Sequence, residues 1–109
     1  MKKLCSIFIL GLMIVLTFSP FLHTLRAEEK EVIVKNFTFK PKEVVVPAGV
    51  TVIWVQKDRA PHTITAKDGT FDSGKLTKGD RFAQTFTKKG TFEYTCQFHP
   101  SMSGKVIVK

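Results

Sequence analysis

Residues Tyr94–Met102 read YTCQFHPSM. Cys96, His99 and Met102 follow one another at intervals of three, in a chain that has 2 Cys, 3 His and 3 Met altogether. Just before them, TFEYTC alternates, with Phe92, Tyr94 and Cys96 on one face and Thr91, Glu93 and Thr95 on the other. Two aromatics lead the cysteine inward, so its sulfur is expected in a core, at the end of a strand. The six residues after it are expected to form a tight loop that returns His99 and Met102 toward the same point.

The alternation recurs along the chain. EVIVKNF, KEVVV, TVIWVQ, HTITA, RFAQTFT, TFEYTC and GKVIVK are candidate strands, separated by turn-forming segments such as PAG, KDRAP and TKKG, and by the longer AKDGTFDSGKLTKGD. No window sustains a 3.6-residue apolar period. The pattern predicts an all-β fold, a two-sheet Greek-key β-sandwich of about seven to eight strands. In HTITA, His62 shares a face with Ile64 and Ala66 and is expected to point inward. Trp54, Phe82, Phe86 and the Val-Ile runs are the expected core.

The first 27 residues differ in kind. Lys2 and Lys3 precede the apolar run LCSIFILGLMIVLTF, Ser19 and Pro20 break it, and LRA leads to an acidic shift at Glu28 and Glu29. This reads as a secretory signal spanning residues 1–27, cleaved after Ala27, although Leu25 is larger than such sites prefer. The alternative is an uncleaved anchor over Leu4–Leu22, which Gly11, Ser19 and Pro20 weaken. Either reading exports residues 28–109 to a periplasmic or other extracytoplasmic location as one domain. Those residues suffice for one modest core and leave no room for a cleft between domains. The chain carries a net charge of +8. The leader holds Lys2, Lys3 and Arg26 without an acid, so about +5 remains on the domain.

The leader also holds Cys5, His23, Met1 and Met13. Beyond it, Cys96, His62, His99 and Met102 are the whole inventory of their three residue types. An unpaired cysteine in an exported protein persists when it is buried, paired between molecules or bound to metal. A single inward histidine is more often hydrogen-bonded than metal-bound, but four such residues converging argue for metal. Thiolate and thioether donors suit Cu(I), imidazoles also accept Cu(II), and His2Cys with a weak axial Met is the pattern of blue-copper electron-transfer sites. The expected cofactor is one copper ion, alternating between Cu(I) and Cu(II).

The motif Cys-x-x-His-x-x-Met in CQFHPSM, preceded by GTFEYT and followed by GKVIVK, resembles the small bacterial blue-copper proteins, the cupredoxins. Its short ligand loop is most similar to the amicyanin type among their plastocyanin-like members. PHT at 61–63, PAGVTVIWVQKD at 47–58 and FDSG at 71–74 extend the resemblance over residues 30–109. The resemblance implies that His62, Cys96 and His99 are equatorial ligands, that Met102 is axial, and that electrons leave by the outer edge of His99. One position departs from the pattern. Thr63 stands where such proteins usually carry Asn, so the side-chain tether between the two ligand segments is expected to be shorter or lost, while the backbone N–H to the sulfur survives.

These readings predict a non-enzymatic one-electron carrier outside the cytoplasm, with copper storage or delivery as the alternative. Its partners are expected to be redox proteins with acidic docking surfaces, met by a basic, monomeric domain. Ala60, Pro61, Phe98 and Pro100 are candidates for an apolar contact patch beside His99, Phe98 having loop packing as its alternative role. Nucleic acid is not an expected partner, and a membrane enters only through the N-terminal segment. A Cys-His nucleophile would need an accessible thiolate, and the chain has neither Cys-x-x-Cys-His nor HExxH.

Overall fold

The computed structural model describes residues 28–109; the signal or anchor read over 1–27 lies outside the described residues. Eight strands follow in order: β1 (Glu29–Lys35), β2 (Thr38–Lys40), β3 (Glu43–Val46), β4 (Val50–Gln56), β5 (Thr65–Ala66), β6 (Arg81–Phe86), β7 (Gly90–Thr95) and β8 (Ser103–Val108). They form two four-stranded sheets, β2-β1-β4-β6 and β3-β8-β7-β5. This is the expected all-β Greek-key sandwich. Two pairings, β1 with β4 and β3 with β8, are parallel, and the others are antiparallel.

Period-two patterning explains which residues fill the space between the sheets. β4 turns Val50, Val52, Trp54 and Gln56 inward, and β8 turns Gly104, Val106 and Val108 inward. Val32 and Val34 of β1, Val44 and Val46 of β3, and Phe86 and Tyr94 complete the layer. Each fully buried side chain of this size contributes about 1.5–3 kcal/mol of transfer free energy. Trp54 is the hub, with ring centroids 5.3 Å from Tyr94, 5.7 Å from Phe82 and 6.0 Å from Phe71.

Two expectations need correction. EVIVKNF does not continue as a strand to Phe37: the chain leaves β1 at Lys35, turns at Asn36 and Phe37 with φ of 55° and 58°, and returns as β2. HTITA is regular only at Thr65–Ala66. His62 instead makes an isolated bridge with Leu76, donating to its carbonyl at 3.1 Å and accepting from its amide at 2.8 Å. The turn-rich segment expected over 66–80 is, beyond β5, a strap that buries Phe71 and Leu76 and braces the residues before β5.

Candidate metal centre

At one end of the sandwich the inward row of β4 finishes on Gln56, a fully buried polar side chain. Its amide donates to the carbonyls of Ala60 (2.8 Å) and Leu76 (3.2 Å), and its oxygen accepts the Asp58 N–H at 2.7 Å. A buried amide costs several kcal/mol if left unpaired, so this arrangement fixes the path of residues 57–61 rather than merely tolerating it. Pro61, with its restricted φ, then delivers His62.

The second candidate segment is the tip between β7 and β8. The N–H of His99 donates to the Cys96 carbonyl at 3.3 Å, that of Met102 to the His99 carbonyl at 2.9 Å, and that of Cys96 to the Met102 carbonyl at 3.3 Å. The loop is closed on itself by its own backbone. It brings Nδ1 of His99 to 3.6 Å from Cys96 Sγ, and Nδ1 of His62 arrives at the same distance from the other side. The donor atoms of His62, Cys96 and His99 all lie within 4.8 Å of one another. His62 and Cys96 are fully buried, and His99 is half-buried. Met102 is buried at the foot of the loop.

Protonation states follow from the partners. His62 Nε2 stands 2.8 Å from Asp58 Oδ2, an acceptor, so in the neutral ring Nε2 carries the hydrogen and Nδ1 presents a bare lone pair toward Sγ. Burial works against charge on Asp58, but the N–H of Phe37, the imidazole of His62 and the N–H of Asn36 outweigh it and hold the carboxyl below its ordinary value. The Thr63 N–H donates to Cys96 Sγ at 3.4 Å. One soft sulfur and two imidazoles gathered at a common point, two of the three donors shielded from water, make a potential metal site whose donor set is consistent with copper.

Of the two outcomes expected at Thr63, a shorter tether or a lost one, the structure shows the shorter. Its buried Oγ1 accepts the Gln97 N–H at 2.8 Å and lies 2.9 Å from Thr65 Oγ1, which donates to Asp72 Oδ1 at 3.1 Å. Thr65 spends its hydrogen on the carboxylate, so the chain runs one way: Gln97 N–H to Thr63 O–H to Thr65 O–H to Asp72. A hydroxyl therefore does the tethering, and the FDSG strap anchors its far end. Ser73 Oγ accepts the Ile64 N–H at 2.8 Å, so the same strap holds both sides of the Thr63–Thr65 segment.

Phe98 is 49% exposed and does not fill the loop's interior; Pro100 is also exposed, while Ala60 and Pro61 are half-buried. Two residues escaped the sequence reading. Asp58 was visible as a carboxylate four positions before a candidate ligand, whereas Phe37, on a different hairpin, gave no local cue.

Comparison with known proteins accords with this geometry. Residues 6–108 match the family model described as a cupredoxin-like domain, and the chain belongs to that family. It is 36% identical over 81 residues to an amicyanin of Paracoccus versutus, covering 70% of this chain and 61% of that protein. The chain thus spans about three fifths of the length of that relative. Among solved structures, a purple cupredoxin from Nitrosopumilus maritimus superposes with a TM-score of 0.68 at 32% identity, covering 73% of this chain and 99% of the other. A variant of amicyanin in its Cu(I) form gives a TM-score of 0.72 at 29% identity, covering 78% and 86% respectively.

Proposed function

We propose that this protein is a type 1 copper electron carrier, working outside the cytoplasm between redox partner proteins. The observation that carries the reading is the convergence of His62 Nδ1, Cys96 Sγ and His99 Nδ1 at the end of a rigid sandwich. A single copper ion supplies a one-electron couple between Cu(I) and Cu(II) when bound. In this reading His62, Cys96 and His99 would hold the ion strongly, and Met102, buried at the foot of the same loop, would add a weaker thioether donor. The Asp58 carboxylate sets the His62 tautomer, the Thr63 N–H stabilises the thiolate, and the half-buried edge of His99 is the route by which an electron reaches the surface. A cage held by backbone and hydroxyl contacts on both sides moves little when charge changes, which suits fast outer-sphere transfer.

The amicyanin relatives support a carrier rather than an enzyme. The fully buried His62 and Cys96 favour it over copper storage or delivery, which calls for ligands that exchange readily. Residues 1–27 act in this reading as the export signal or anchor, and the basic monomeric domain meets partners through acidic surfaces, with charge raising encounter rates.

Titration of the metal-free protein with Cu(II) tests the assignment. An intense visible absorption with a small copper hyperfine splitting, both lost in Cys96→Ser, is expected. A pale, wide-splitting Cu(II) spectrum would end the carrier reading. Met102→Leu is expected to keep the colour and change the reduction potential.

A further inference from the structure

The turn joining β1 to β2 has a feature that ligation does not explain. Asn36 and Phe37 are consecutive left-handed residues, with φ of 55° and 58°. Asparagine tolerates that region; a phenylalanine there is strained, and glycine would avoid the strain. Strain of this kind persists where surrounding contacts over-determine it, and it clusters at functional sites.

The contacts are present. Asp58 Oδ1 accepts the Asn36 N–H at 2.7 Å and Oδ2 accepts the Phe37 N–H at 2.9 Å. The same Oδ2 accepts His62 Nε2–H at 2.8 Å. A single carboxylate therefore joins the strained turn to a candidate ligand. The side chain that the turn carries is not there to be buried, being 50% exposed. Its ring meets both imidazoles edge-on, with centroids 5.3 Å from His62 at an interplanar angle of 86° and 4.9 Å from His99 at 83°. The two imidazoles are 5.0 Å apart at 67° to one another. Loss of the ring would leave His99, on an exposed loop tip, free to rotate about its side-chain bonds.

We propose that Phe37 is a positioning residue of the metal centre: a wedge, fixed by the Asp58 carboxylate, that holds the His62 and His99 rings in the orientation where both Nδ1 atoms face Cys96 Sγ. The proposal deepens the metal-site reading and rests on it, but it applies to any ion that takes these three donors. The wedge works before metal arrives, so the metal-free protein already has its imidazoles aligned.

Phe37→Leu keeps bulk without a flat edge, Phe37→Tyr keeps the ring, and Phe37→Gly removes both ring and backbone strain. Zn(II) affinity by chelator competition and the imidazole proton resonances of the metal-free protein are the readouts, with the potential of the copper form as a third. Leu and Gly are expected to lose about tenfold in Zn(II) affinity, the scale seen when a contact that orients a ligand is removed. They are also expected to broaden the His99 resonances and shift the potential, while Tyr restores all three. Gly is expected to unfold at a higher urea concentration than Leu, because the turn no longer opposes it. Wild-type Zn(II) affinity and sharp His99 resonances in Leu would overturn the proposal, as would a loss that Tyr fails to restore. Absence of the blue absorption in wild type would count against copper instead, and the Zn(II) comparison would still decide the wedge.

Discussion

At the scale of single residues, the metal end depends on small polar groups whose partners are fully accounted for. Thr63 is the instructive one, because a hydroxyl replaces a longer amide and still reaches the Gln97 N–H. Thr63→Val keeps the shape and leaves that donor unpaired; a loss of about 1–3 kcal/mol is expected from urea unfolding of the metal-free protein, with Thr63→Ser close to wild type. Tyr94 is the opposite case. Its hydroxyl is buried without a well-formed hydrogen bond, and burial pushes it up to about 12, opposed by the neighbouring Trp54. The folded value lies above the ordinary one, so this stability is complete below about pH 10 and is lost as pH rises toward 12, on the scale of 2–3 kcal/mol. Tyr94→Phe should flatten that alkaline loss relative to wild type and cost little at neutral pH, as paired urea curves at pH 8 and 11 would show.

At the scale of elements, the strands were readable because inward and outward residues alternate with little interruption, as in VTVIWVQ and SGKVIV. The tight β7–β8 loop was readable too, since a thiol, an imidazole and a thioether at fixed spacing mark a turn that packing alone does not require. The β1–β2 turn was not. KNFTF alternates well enough to continue a strand, and what bends it is Asp58, more than twenty positions away. Contacts over that distance leave no periodic trace. The brace from the 67–80 strap was missed for the same reason: its turn-rich composition conceals Phe71 and Leu76, which are buried. The pairing of β7 with β8 makes its own prediction. Tyr94 lies opposite Gly104, and a Cβ there would sit 2.5 Å from the Tyr94 hydroxyl and 2.9 Å from the Lys42 carbonyl. Gly104→Ala is therefore expected to cost about 1–3 kcal/mol in denaturant unfolding, since a strand backbone must move to admit one methyl.

At the scale of the whole molecule, the candidate donors come from two segments far apart in the chain, the run before β5 and the β7–β8 tip, which meet when β5 pairs with β7. Any metal held there would be coupled to folding. An ion held at 100 times its dissociation constant adds about 2.7 kcal/mol, which for a domain of this size raises the melting temperature by roughly 10–20 °C. Thermal scans with and without a strong chelator should show that gap, and Cys96→Ser should close most of it. The same architecture governs what happens while no ion is bound. Cys96 is the one cysteine among the described residues, and it has no accessible surface. Peroxides and alkylating reagents must wait for the fold to open before they reach the sulfhydryl, so burial slows its conversion to sulfenic acid or cross-linked dimers.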